Sequence, residues 1–248
     1  MWLASHLFAV VVIVSFVFLG FWQLSRHGEK AEFNEEVGAR SGPPAASVEG
    51  VLGGDPEELD YRYVSGTGEY VDGDVVRVAN RTQGGTAGQY LVGLFRLSDG
   101  RLLLVNRGFV PLNTTSIEIE SAPAGPVTVV GWLRQSAERG LLGPTDSGEG
   151  DVVPRFDVAA IEARLAGPGD QSGDVADVWL QLEGGGKSGL AVFPDPVPLP
   201  PLDGGPHLSY MGQWFIFAIL GTLFYGALLR RIAHGKHRTA ASAVPDPV

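Results

Sequence analysis

Two long, uncharged apolar runs, one near each end of the chain, constrain this sequence more than anything else in it. The first is Trp2 to Leu24, WLASHLFAVVVIVSFVFLGFWQL. The second is Leu208 to Leu229, LSYMGQWFIFAILGTLFYGALL. As helices they would reach about 34 and about 33 Å, enough to cross the hydrocarbon core of a bilayer. Trp2 and Trp22 stand near the ends of the first run, and Tyr210, Trp214 and Tyr225 flank the second. Such rings favour the headgroup level. The first run has no basic lead, and its exit, Phe21-Trp22-Gln23-Leu24-Ser25-Arg26, is no small-x-small cleavage site, so a retained anchor is expected rather than a signal peptide. Arg230, Arg231, Lys236 and Arg238 follow the second run. Basic residues beside a span favour the cytoplasmic side, and two spans then put both termini there.

The stretch from Ala31 to Pro206 would lie outside. It holds 26 acidic and 12 basic residues, so it carries nearly all the acidity of a chain whose net charge is −10. That balance argues against a nucleic-acid partner, which calls for a basic footprint. The stretch reads as short strands. Tyr61 to Ser65 begins a run ending at Tyr70-Val71, and Val75 to Val78 follows after Asp72-Gly73-Asp74, a hairpin signal. Tyr90–Leu97 and Leu102–Val105 are joined through Asp99-Gly100. Val127–Arg134 is another strand, and Val178–Leu182 pairs with Leu190–Phe193 across a glycine turn. Asp157 caps one helix, Val158 to Ala166, with Val158, Ile161 and Leu165 on one face. Glu29 to Asp60 is polar and begins as a continuation of the first helix; Gly140 to Gly150 is a surface loop. Pro194 to Pro206 is a stiff, proline-rich lead into the second span. The fold class expected is an α+β membrane protein: two transmembrane helices flanking a mostly β extracytoplasmic domain, a barrel or a sandwich. Its parts are 1–30, the first transmembrane helix and its exit; 31–206, the β-rich domain; 207–231, the second transmembrane helix; and 232–248, a cytoplasmic tail.

Catalytic material is sparse. Cysteine is absent, which removes disulfides, thiolate metal sites and thiol chemistry. The five histidines are His6, His27, His207, His234 and His237, so none lies inside the β region and no Ser-His-acid triad can form there. No Gly-x-Ser-x-Gly motif occurs, and no His/Asp cluster has metal-ligand spacing. Gly184-Gly185-Gly186-Lys187-Ser188-Gly189 ends like a phosphate loop, but Gln181 stands where the first glycine belongs and the run joins two strands, so it reads as a hairpin turn. The chain is expected not to be an enzyme.

Three places look less generic. The first span ends in Leu19-Gly20-Phe21-Trp22-Gln23-Leu24-Ser25-Arg26, where Gln23, Arg26 and Lys30 could share a helix face. That is either an interfacial anchor or a docking face for another membrane subunit. Asn106-Arg107-Gly108-Phe109 ends a strand and reads by default as a turn. His207 opens the second span with Tyr210, Met211 and Trp214 beside it at helical spacing; it is either a polar anchor or a cofactor or partner contact.

Together these places resemble the Surfeit locus protein 1 family, membrane factors of cytochrome c oxidase biogenesis. That family ends its first span in Gly-x-Trp-Gln-x-x-Arg followed by a lysine, here Gly20, Trp22, Gln23, Arg26 and Lys30. Its β region carries Val-Asn-Arg-Gly-aromatic-Val, here Val105 to Val110. Its second span opens His-Leu-x-Tyr-x-x-x-Trp-Phe, here His207, Leu208, Tyr210, Trp214 and Phe215. Phe109 stands where tryptophan is commoner, Glu29 where an aromatic often precedes the lysine, Gly204-Gly205 where asparagine often precedes the histidine, and Met211 where a small residue is usual. The excess of 15 arginines over 3 lysines fits a GC-rich bacterium such as an actinobacterium.

The resemblance implies an assembly or accessory factor of the haem a-containing oxidase, aiding haem a insertion or staying bound to the respiratory complex. It makes His207 the candidate haem a ligand, with haem a bound transiently and no permanent cofactor. Trp22, Gln23, Arg26, Tyr210 and Trp214 become candidate partner-binding residues. The partners implied are cytochrome c oxidase subunits, a cytochrome bc–oxidase supercomplex and membrane lipid, at the bacterial plasma membrane. Two other readings stand beside this one: a purely structural membrane subunit with no cofactor role, and an extracytoplasmic sensor or ligand-binding domain. The sensor expects a cytoplasmic output module, whereas 17 residues follow Arg231.

Overall fold

The computed structural model describes residues 2–71, 75–115, 119–137, 139–140, 143, 150–165, 175–184 and 193–241. Along the chain the elements are α1 (Trp2–Arg40), β1 (Ala46–Ser47), α2 (Val48–Val51), α3 (Pro56–Leu59), β2 (Tyr63–Tyr70), β3 (Val76–Gln83), β4 (Thr86–Leu97), β5 (Leu102–Pro111), β6 (Val127–Gln135), β7 (Val152–Val153), α4 (Val158–Leu165), β8 (Val175–Leu182) and α5 (His207–Ala241). They form two compact units, Met1–Glu36 with Leu202–Val248, and Val37–Pro201.

In the first unit, α1 and α5 are both long and apolar enough to cross a membrane, with mean hydropathy 2.5 and 1.6 over their most apolar windows. Only 6% of either window is buried, so these are not the core helices of a soluble fold. The two helices touch along a seam. His6 meets Tyr225, Phe16 stacks on Trp214 with ring centres 5.7 Å apart, and Phe21 meets Phe215 edge-on at 5.3 Å. Numbers rise on one helix as they fall on the other, so the helices run antiparallel. On α1 the half-buried positions include 6, 9, 13, 16, 23, 27, 30 and 34, with position 20 buried among them, the three-and-four spacing of a helix with one covered stripe. Gly20 lies on that stripe; a Cβ there would stand 2.7 Å from the Phe215 ring, so the missing side chain lets the ring approach. The helix runs on past residue 30 and ends just before Gly42-Pro43-Pro44, where proline denies it further backbone donors.

The second unit is built on a closed ring of five strands. Pairing runs β2–β6–β8–β5–β4 and returns to β2 through Gly68–Leu97, Glu69–Arg96 and Tyr70–Phe95. The architecture is therefore a barrel rather than a sandwich. β4 is long enough to serve two neighbours on one side: Thr86–Val92 pairs with β3, and Phe95–Leu97 closes the ring on β2. Period-two alternation sorts the apolar residues into two cores. Leu103 and Val105 join Val64, Phe95, Val129, Leu133 and Leu180 in one cluster, which Val48 and Leu59 from α2 and α3 complete. Leu102 and Leu104, pointing the other way, join Val76, Val92, Phe156, Ile161 and Trp179. β5 is thus buried on both faces, and each fully buried leucine or valine contributes about 1.5–3 kcal/mol. α4 covers the second cluster with Val158, Ile161 and Leu165, the face its sequence spacing predicts, and the Asp157 carboxylate accepts from the Ala160 amide at 3.2 Å.

One expected pairing is replaced by others, and a second falls largely outside the described residues. β3 does not form a hairpin with β2 through residues 72–74, which lie outside the described residues. It pairs with β4 across the Gly84-Gly85 turn and with β7, while β2 pairs with β1, β4 and β6. A local turn signal lost here to ring closure. The strand expected at Leu190–Phe193 also lies largely outside the described residues; Phe193 bridges Ile119, and β8 pairs with β5 and β6.

Candidate functional site

The three segments singled out in the sequence fall in both units, two in the helical unit and one in the barrel. In the helical unit, Pro206 ends the proline-rich lead, and its carbonyl accepts the Tyr210 amide at 3.2 Å, so α5 starts with His207. The ring is half-buried, and its Nδ1 lies 3.0 Å from the Gln23 Oε1 of α1. The turn before it is pinned to the same face of α1. Asn34 donates to the Asp203 carbonyl at 2.7 Å, the His27 ring lies 3.4 Å from the Gly204 carbonyl, and the Gly205 amide donates to the Asp203 carboxylate at 3.1 Å. Gly205 has φ of +61°. A Cβ there would lie 3.2 Å from His207 Cδ2 and 3.3 Å from Nε2, so glycine suits the backbone and keeps a side chain from pressing on that edge of the imidazole.

The candidate partner residues divide by orientation. Gln23 turns inward to His207, and Trp214 turns inward to stack on Phe16. Trp22 and Tyr210 point outward, at 49% and 48% exposure. The face expected to unite Gln23, Arg26 and Lys30 holds Gln23 and Lys30, seven residues apart, with His27 and Asn34. Arg26 leaves that stripe, exposed, and pairs with Glu29 three residues on. Among the described residues, no group of three or more histidines and carboxylates could hold a metal ion.

The Asn106-Arg107-Gly108-Phe109 stretch is not a turn. It lies within β5, with Asn106 and Arg107 buried. The Asn106 Oδ1 accepts the Gly108 amide at 3.1 Å, which fits the φ of +138° at Gly108. That conformation bulges the β4–β5 ladder between Leu91 and Val92 and lets Phe109 bridge Asp195 in the proline-rich strap. Arg107 donates to the Glu120 carbonyl at 2.6 Å and lies over the Tyr70 ring at 5.8 Å. Burial lowers its pKa from the ordinary guanidinium value, and burial raises that of Tyr70. Both line a cavity of about 480 Å³ with Glu120, Val129 and Leu182.

A second polar network was missed in the sequence. Arg134 donates to Asp60 at 2.9 Å, to Gln181 at 3.1 Å and to the Tyr61 hydroxyl at 3.0 Å. The buried Gln181 amide donates to the Val197 carbonyl at 2.8 Å, fastening the strap to β8. The available signal was a glutamine inside the apolar run Val-Trp-Leu-Gln-Leu.

An antiparallel pair of apolar helices and a five-stranded barrel in one chain, with a histidine held at the start of the second helix, define a class of membrane-associated β-domain proteins. A model of the SURF1 family matches residues 10–219, and the chain belongs to that family. Uncharacterized SURF1-like proteins of Mycobacterium bovis and Mycobacterium tuberculosis are each 26% identical to it over 255 residues, covering 98% of this chain and 89% of the relative. A SURF1-like protein of Rickettsia felis is 25% identical over 230 residues, covering 90% of this chain and 97% of the relative.

Proposed function

We propose that this protein is a non-enzymatic assembly factor of the haem a-containing cytochrome c oxidase, with haem a as its transient cargo and His207 as the ligand to the iron. The observation that carries this reading is the state of His207: a half-buried imidazole at the head of an apolar helix, with Nδ1 engaged by Gln23 and no side chain on Gly205 to press on the Nε2 edge. A neutral imidazole nitrogen is a usual axial ligand of haem iron. Family membership supports the oxidase as the destination. A single protein ligand fits a cargo that must be released better than a permanent electron-transfer centre, which needs a firmly fixed iron.

The two helices cross the bacterial plasma membrane with both termini in the cytoplasm and the barrel outside. Their antiparallel seam supports this, because it places both outer ends of the hairpin on one side, and the basic residues after Leu229 favour the cytoplasm for that side. Trp22 and Tyr210 face outward and are the residues to meet an oxidase subunit, alone or within a cytochrome bc–oxidase supercomplex. The test is oxidase purified from cells carrying His207→Ala. Haem a content should fall while the variant protein still inserts in the membrane. Normal haem a content would leave the structural-subunit reading in its place.

A further inference from the structure

The inward partner of His207 has a role of its own. We infer that Gln23 is the positioning residue that fixes the tautomer of His207, so that Nε2 is presented unprotonated. The inference rests on the reading of His207 as a haem ligand for its purpose, but not for its geometry.

An amide oxygen can only accept a hydrogen bond. His207 Nδ1 lies 3.0 Å from the Gln23 Oε1, a contact that is a hydrogen bond only when Nδ1 carries the proton. In a neutral ring the lone pair must then sit on Nε2. That is the edge beside Gly205, where any larger residue would place a Cβ at 3.3 Å. Free histidine in water favours the opposite tautomer, with the proton on Nε2, so an acceptor at Nδ1 is needed to reverse it. Ligating histidines generally donate their second nitrogen to a carbonyl or carboxylate, which fixes ring orientation and raises ligand basicity. Here a glutamine on a neighbouring helix supplies that acceptor.

The seam makes the arrangement rigid. Gln23 stands on the covered stripe of α1, one turn from His27 and three turns from Asn34, which hold the Gly204 and Asp203 carbonyls of the turn leading into His207. The acceptor and the backbone that carries the imidazole are therefore set by one helix face. Arg26, which shares the same sequence motif, turns to Glu29 and takes no part.

The test uses the full chain in detergent, labelled with nitrogen-15 at histidine and free of haem. The nitrogen shifts of His207 should report a proton on Nδ1 in the native protein and in Gln23→Glu, which keeps an acceptor. In Gln23→Leu the proton should move to Nε2. A native ring protonated on Nε2, or an unchanged tautomer in Gln23→Leu, overturns the inference. A second measurement uses added haem a. Gln23→Leu should weaken binding about 10-fold or more, with Gln23→Glu restoring it, the range usual for the outer partner of a metal-ligating histidine. The iron–histidine stretch in the ferrous Raman spectrum should fall in Gln23→Leu and rise in Gln23→Glu. If His207→Ala abolishes binding while Gln23→Leu changes neither affinity nor stretch, the positioning role fails and the haem reading survives. If His207→Ala binds haem a like the native protein, the haem reading fails, and the tautomer measurement alone decides what Gln23 does.

Discussion

Replacing Gly108 by alanine tests how the barrel uses its Asn-Arg-Gly stretch. Gly108 has φ of +138°, and a Cβ there would lie 2.3 Å from the Asp195 carbonyl oxygen, a backbone atom that cannot swing aside. Forcing an L-residue into such a conformation costs about 1–3 kcal/mol. The clash also parts Phe109 from Asp195, whose amides and carbonyls exchange two hydrogen bonds of 2.8 Å. At about 1 kcal/mol each, their loss brings the total to about 3–5 kcal/mol, a large share of the stability of an ordinary domain. The control is Gly84→Ala in the β3–β4 turn. Gly84 has φ of +58° with nothing within 4 Å of its virtual Cβ, so it tests the dihedral without the clash and should cost about 1 kcal/mol. Thermal unfolding of the full chain in detergent, followed by near-ultraviolet circular dichroism, should show Gly108→Ala melting roughly 10 °C lower. Equal losses for the two variants, or a loss below about 1 kcal/mol for Gly108→Ala, would refute the steric account.

Other consequences can be checked on the same protein. Leu104 is fully buried between the sheet and α4, so Leu104→Ala should destabilise by about 2–5 kcal/mol in denaturant titration. Asp157→Ala removes the acceptor for the Ala160 amide and should cost about 1 kcal/mol by the same measurement. Burial raises the Tyr70 pKa above its value in the unfolded chain. The unfolded state therefore releases that proton first, and the stability gained by keeping the phenol neutral is intact below pH 10.0 and lost as pH climbs through the folded value. Part of the tyrosinate absorbance should consequently appear only together with unfolding. A reporter active only outside the cytoplasm, fused after Val248, should be silent; an active fusion would reverse the orientation.

Much of the architecture was legible in the sequence because it rests on local signals. Uncharged runs longer than 20 residues admit few alternatives to apolar helices, and Asp157 followed by apolar residues at helical spacing specifies α4 with its buried face. The strand at Val127–Gln135 and the core of β4 follow from β-branched and apolar runs bounded by turn residues. The Asp-Gly signal at 72–74 misled, because a turn fixes chain reversal only when no better strand partner exists. β2 found β4 and β6 within the ring and β1 beside it, and closing a ring removes the edges a simple hairpin would leave.

Residue types and the local shapes they favour could be read along the chain: two apolar helices, an acidic strand-rich middle, no thiol, and no histidine within the strands. The sequence also marked Gln23, Asn106-Arg107-Gly108 and His207 as unusual. What each of them does was decided by partners far along the chain. His207 meets Gln23 across 184 residues, Arg134 reaches Asp60 across 74, and Gly108 owes its conformation to a bulge and to Asp195. A hydrogen bond depends on distance and direction in space, and neither is written in sequence separation. The side of β5 that each leucine faces, the outward turn of Trp22 and Tyr210, and the meeting of His207 with Gln23 were therefore fixed only when the helices paired and the barrel closed.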